Sequence, residues 1–76
     1  MKELLQKISS GQEVFTPETE ETSLEGFQFI ADILLGMYCQ DYVAQYKACR
    51  EYCSGKSMVE RVTVGPLTRI GVRQIN

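Results

Sequence analysis

The residues that could do chemistry are few, and their spacing does not assemble a reaction site. The chain has three cysteines (Cys39, Cys49 and Cys53) and no histidine. Without histidine the commonest general base is missing, and no nucleophile, base and orienting group can be named together. Three thiols cannot all pair within one chain, and nothing points to an oxidising compartment, so reduced cysteines are expected. They form no C-x-x-C pair, and a zinc site would have to recruit Asp41 or a second subunit. Buried, small, apolar side chains are the simpler reading. Lys47 and Arg50 stand close to Cys49 and Cys53 in sequence, and cationic neighbours lower a thiol pKa, but an inert thiol fits the same residues. Ser54-Gly55-Lys56-Ser57 matches the end of a phosphate loop, yet the first glycine of that motif would fall at Arg50. Glu20 and Glu21 are paired carboxylates in a polar segment with nothing to shift them. The expectation is a non-enzyme with no catalytic residues, no metal site and no cofactor.

The elements that carry these residues must come from 76 residues, enough for one compact domain spanning residues 1–76. A hydrophobic fraction of 43% with seven aromatics suits a folded chain and is too rich for a disordered one. The longest mostly apolar stretch, Gly26 to Cys39, is shorter than the roughly 20 residues of a membrane span and is interrupted by Gln28 and Asp32. The first twelve residues lack the continuous apolar region of a secretory signal. A cytoplasmic location is expected. The net charge of −2 hides an asymmetry: residues 1–41 hold two basic and eight acidic side chains, and residues 42–76 hold six basic and two acidic ones. That contrast either marks a footprint for a polyanion or lets the two halves attract each other across one small fold, and the second is the simpler.

Leu4, Leu5 and Ile8 fall at helical spacing between Lys2 and Ser10, and Gly11 stands where a left-handed cap would end that helix. Residues 11–23 read as a loop anchored by Val14 and Phe15, with Thr16-Pro17 starting one helical turn over residues 17–21. Thr22-Ser23-Leu24-Glu25 has the capping-box pattern, a hydroxyl followed three residues later by glutamate. The helix that follows, Leu24 to Met37, is apolar at nearly every position and is expected to be the most buried element. Its polar residues Glu25, Gln28 and Asp32 make one narrow acidic stripe, read as solvent-facing.

Residues 39–53 carry two competing periodicities. As a helix, Cys39, Tyr42, Tyr46, Cys49 and Cys53 share a face; as a strand, Tyr42, Ala44, Tyr46 and Ala48 alternate with Val43, Gln45, Lys47 and Cys49. Ser54 to Ser57 supplies a turn, and Met58 to Val64 is a β-rich strand with Val62 and Val64 inward and Arg61 outward. Residues 66–76 end either as a second hairpin arm, with Ile70 and Val72 alternating against Arg69, Gly71 and Arg73, or as a short helical turn capped by Thr68 that Gly71 and Val72 weaken.

Helix, loop, buried helix, two strands and a closing Leu67-Thr68-x-x-Gly71 segment resemble a winged helix-turn-helix domain over roughly residues 22–75. The resemblance implies an α+β fold, with two to three helices packed on a C-terminal β-hairpin that forms the wing. The alternative is a three-helix bundle closed by a terminal hairpin of Met58–Val64 against Arg69–Ile75. In the family the helix equivalent to residues 22–36 reads DNA, but here it presents Glu25, Gln28 and Asp32, and carboxylates in a groove oppose the electrostatic part of binding.

Two functions are consistent with these residues. The first is a small regulatory or protein-interaction module that binds a protein partner or a second copy of itself through Tyr38, Tyr42, Tyr46 and Tyr52. Tyrosine is enriched at interfaces because its ring is apolar and its hydroxyl stays wet, although some of the four could simply cap the core edge. The second is a DNA-binding regulator that contacts phosphate through Lys47, Arg50, Lys56, Arg61, Arg69 and Arg73.

Overall fold

The computed structural model describes residues 2–53 and 55–75. Three helices pack with a three-stranded antiparallel sheet, in the chain order α1 (Lys2–Ser9), β1 (Val14–Phe15), α2 (Leu24–Cys39), β2 (Tyr46–Cys53), β3 (Lys56–Val64) and α3 (Arg69–Ile75). The sheet order is β1-β3-β2. No helix among the described residues is long and apolar enough to cross a membrane.

α1 buries Leu4, Leu5 and Ile8 as its spacing predicts. It ends at Gly11, whose φ of 108° only glycine adopts without strain; the Gln12 N–H then reaches the Lys7 carbonyl at 3.0 Å, closing a Schellman-type cap. Val14 and Phe15 form a short edge strand, register Val14 to Thr63 and Phe15 to Val62, and Phe15 is fully buried. Thr16 caps the single turn that follows, its hydroxyl accepting from the Thr19 N–H at 3.1 Å.

α2 starts at Leu24 as expected, but the cap is one residue later than the capping-box reading. Ser23 is the N-cap and accepts from the Gly26 N–H; Gly26 thus occupies the third helical position, where a capping box needs its glutamate. The helix runs on to Cys39, and buries Phe27, Ala31, Leu34 and Met37 against Val59, Val62 and Val64 of β3. Each of these side chains other than Ala31 contributes about 1.5–3 kcal/mol by leaving water.

Residues 46–53 are strand, which overturns the helical reading of 39–53. Tyr46 opposes Val64 and Ala48 opposes Val62, so the alternation of β2 places the same face inward as that of β3. Residues 40–45 form a turn and a single bridge, Val43 to Leu67. The register shifts between Cys49 and Arg50, which pair with Arg61 and Val59; Glu60 is therefore the extra residue of a β-bulge. Gly55, at φ 77°, belongs to the turn between the strands. β3 spans nine residues, about 30 Å of extended chain, which accounts for the elongated outline of 40 × 22 × 16 Å.

Residues 69–75 are helical, so the bundle with a Met58–Val64 and Arg69–Ile75 hairpin is excluded. Thr68 caps α3, accepting from the Gly71 N–H at 3.1 Å while its hydroxyl donates to the Asp41 carbonyl. A Cβ at Gly71 would stand 2.1 Å from the Tyr42 carbonyl oxygen. The missing side chain is what lets α3 approach that backbone, and this docking offsets the weak helix propensity of glycine.

Candidate interaction surface

The helix α2 is amphipathic in a way its sequence conceals. Its arc away from the core holds Glu25, Phe29 and Asp32, and Phe29 is 74% exposed although Phe27, two residues earlier, is fully buried. Ile33, Leu35 and Tyr38 are also exposed. Of the apolar positions of α2, expected to be the most buried element, Phe27, Ala31, Leu34 and Met37 are buried and the rest leave apolar surface uncovered on the longest helix. Burial rules leave isolated exposed apolar residues unremarkable; here several share one element.

Gln28 is not part of a solvent-facing stripe. Its carboxamide accepts from the Val59 N–H at 2.9 Å and donates to the Val59 carbonyl at 2.8 Å. It therefore occupies the place of a neighbouring strand on the side of β3 that β1 is too short to reach.

The four tyrosines do not form one patch. Tyr42 and Tyr46 pack partly against the core, Tyr38 stacks on Tyr46 with ring centroids 6.2 Å apart, and Tyr52 is 79% exposed near the hairpin turn. Tyr46 and Tyr52 share the α2 side of the sheet with Ala48 and Arg50 between them, since residues of one parity share a face. Burial raises the Tyr46 phenol above its ordinary pKa, with the Asp32 carboxylate adding to the rise and Arg50 opposing it.

The six cations are also divided. Lys47, Lys56 and Arg61 lie on the sheet face away from α2, Arg50 lies on the α2 side, and Arg69 and Arg73 are on α3, four residues apart. Two carboxylates interrupt the first group. The neighbouring Glu51 carboxylate, as a hydrogen-bond acceptor and a like charge, favours the protonated form of Glu60 and raises its carboxyl above the ordinary value. Arg61 donates to the Cys49 sulfur at 3.2 Å. Cys39 is exposed at the end of α2 and Cys49 is half-buried on the sheet, so these two thiols are not the buried side chains expected; the side chain of Cys53 lies outside the described residues. No group of three or more metal-ligating side chains comes together among the described residues.

The remaining polar cluster is structural. Glu20 accepts from Lys7 at 2.8 Å, Gln12 at 2.9 Å and Thr19 at 2.7 Å, tying the turn after β1 to α1. Burial alone would raise the Glu20 carboxyl; those hydrogen bonds outweigh it and hold the group below its ordinary value. In return, the bond to Glu20 raises the Lys7 ammonium.

Sequence reasoning missed Phe29 and the outer edge of β2. The signal for the first was present: Phe29 lies four residues after Glu25 and three before Asp32, on the polar arc. Compared with protein-family models, with curated proteins and with solved structures, the chain matches none of them.

Proposed function

We propose that this chain is a small, non-enzymatic protein-interaction module of winged-helix type, whose binding surface is the projecting β2–β3 hairpin and the adjoining exposed face of α2. The observation that carries the reading is Tyr52, 79% exposed on a hairpin whose residues Arg50, Glu51, Gly55, Lys56 and Ser57 are exposed as well. A large aromatic ring left in water at the end of a rigid element is suited to becoming an anchor when a partner covers it. The winged-helix part of the reading is supported by the long helix leading into a two-stranded wing, and by Thr68 and Gly71 each having a defined part in closing the fold.

The test compares the native chain with Tyr52→Ala, using sedimentation velocity and recovery of bound protein from cell extract. The reading expects a change in one or both. If neither changes, and the variant is folded, the hairpin is not the binding surface.

The DNA-binding alternative has its cations on three surfaces with Glu51 and Glu60 among them. Amide NMR at low salt separates the two: perturbation of Lys56 and Arg61 by a mixed-sequence duplex favours nucleic acid, whereas shifts confined to β2 and α2 on concentrating the protein favour protein association.

A further inference from the structure

The two outer edges of the hairpin are treated differently by the fold. β3 is partnered on both sides at Val59 and from Val62 to Val64: β2 lies on one side, and on the other β1 pairs Val62 and Thr63, Glu13 accepts from the Val64 N–H at 2.9 Å, and Gln28 takes both backbone groups of Val59. β2 is the terminal strand of the sheet, and among the described residues no further strand lies beyond it.

Which β2 groups face outward follows from those bonds. Val64 and Val59 direct their N–H groups away from β2, so their partners Tyr46 and Arg50 are in non-hydrogen-bonded pairs. An antiparallel strand alternates the direction of its backbone groups along its length. Tyr46, Ala48, Arg50 and Tyr52 therefore direct both N–H and C=O to the open side. A second strand can satisfy them only by opposing them with edge-facing residues of its own.

We infer that the partner for this edge is a second copy of the chain, joined β2 to β2 antiparallel with the two-fold axis at Cys49, making one continuous six-stranded sheet. The inference rests on the interaction reading above and names its partner. Edge strands normally carry charge to prevent such pairing, and β2 carries Lys47, Arg50 and Glu51. With the axis at Cys49 two of those charges become complementary, and Arg50 opposes Ala48 of the second copy. Lys47 opposes Glu51 of the second copy, and Glu51 opposes Lys47 of the second copy. An axis at Ala48 instead puts Lys47 opposite Cys49 and leaves Glu51 without a cation; an axis at Arg50 puts two guanidinium groups opposite each other. Registers between these oppose edge-facing residues with residues whose backbone groups point to β3, and so cannot form the ladder.

Two further features fit the same register. Tyr52 opposes Tyr46 of the second copy, adding its exposed ring to the Tyr38–Tyr46 stack on the α2 side. Lys47 of the second copy also comes opposite the carboxylate pair Glu51 and Glu60, for which no ion pair with a lysine forms among the described residues of one chain. The interface is isologous, with each contact off the axis made twice, as a two-fold dimer requires.

Cys49 is self-opposed at the axis in a non-hydrogen-bonded pair, where Cα atoms are about 4.5 Å apart, within the range that a disulfide bridges. Oxidation of the Cys39→Ser, Cys53→Ser chain is expected to give a covalent Cys49–Cys49 dimer, identified by peptide mass spectrometry, and sedimentation equilibrium is expected to show a reversible dimer of the reduced native chain. Lys47→Glu and Glu51→Lys should each weaken that dimer at least tenfold, and the double exchange should restore it to within about threefold; circular dichroism confirms that each variant is folded. A dimer indifferent to both single exchanges and without the Cys49 cross-link overturns this pairing while leaving self-association in place. A monomer at every concentration also overturns it, and overturns the interaction reading only if recovery of bound protein is indifferent to Tyr52→Ala as well.

Discussion

The Gln28 side chain lies against the Val59 peptide as a neighbouring strand would, accepting at 2.9 Å and donating at 2.8 Å. A helix thereby satisfies the backbone of a strand at the point where β1 has ended. Gln28→Ala leaves both backbone groups of the buried Val59 without a partner, so a loss of roughly 1–3 kcal/mol is expected, together with faster amide exchange at Val59. Gln28→Glu removes the donor toward the carbonyl and should also destabilise. Chemical denaturation with hydrogen exchange reads both.

Two phenylalanines two residues apart should behave oppositely. Phe27 is fully buried and Phe29 is 74% exposed. Phe27→Ala is expected to cost about 3–5 kcal/mol, and Phe29→Ser to stay within about 0.5 kcal/mol in the folding equilibrium. If both destabilise alike in dilute solution, the orientation of α2 is not as described.

The close approach of α3 to Tyr42 predicts intolerance at Gly71. Gly71→Ala places a methyl group against a backbone carbonyl that has little room to move, costing roughly 1–3 kcal/mol. Thr68→Ala removes the cap of the same helix, at about 1 kcal/mol. Both should loosen residues 69–75 first, seen as local loss of amide protection before global unfolding.

The carboxylates predict opposite responses to acid. Glu20 is held below its ordinary value, near 4.5, so its contribution is present above that value and is lost as pH falls through the depressed one. Glu20→Gln should therefore destabilise at neutral pH and flatten the acid limb of the stability curve.

Glu60 shifts the other way. Its carboxyl is raised by Glu51, so stability is greatest below its ordinary value and declines as pH rises through the raised one. Glu60→Gln should stabilise the isolated chain at neutral pH and have no effect in acid. Thermal melts between pH 3 and 8, with the range itself about as wide as both titrations require, separate the two glutamates.

Much of the local structure was legible in the residues themselves. The period-two valines of β3, the helical spacing of Leu4, Leu5 and Ile8, the cap at Gly11 and the start of α2 are patterns set by backbone geometry, and they hold whatever the neighbours are. What only the tertiary structure decided are the choices between patterns the chain carries at once. Residues 46–53 fit a helix and a strand equally well until Tyr46 and Ala48 face Val64 and Val62, so pairing with β3 selects the strand. Residues 69–75 are weak helix formers, and the helix stands because Gly71 permits contact with Tyr42. In α2, apolar almost all round, periodicity shows that a helix forms but not which arc meets the sheet. Packing against β3 exposed Phe29 and turned Gln28 toward Val59, because a local repeat specifies a period and only a second surface specifies a face.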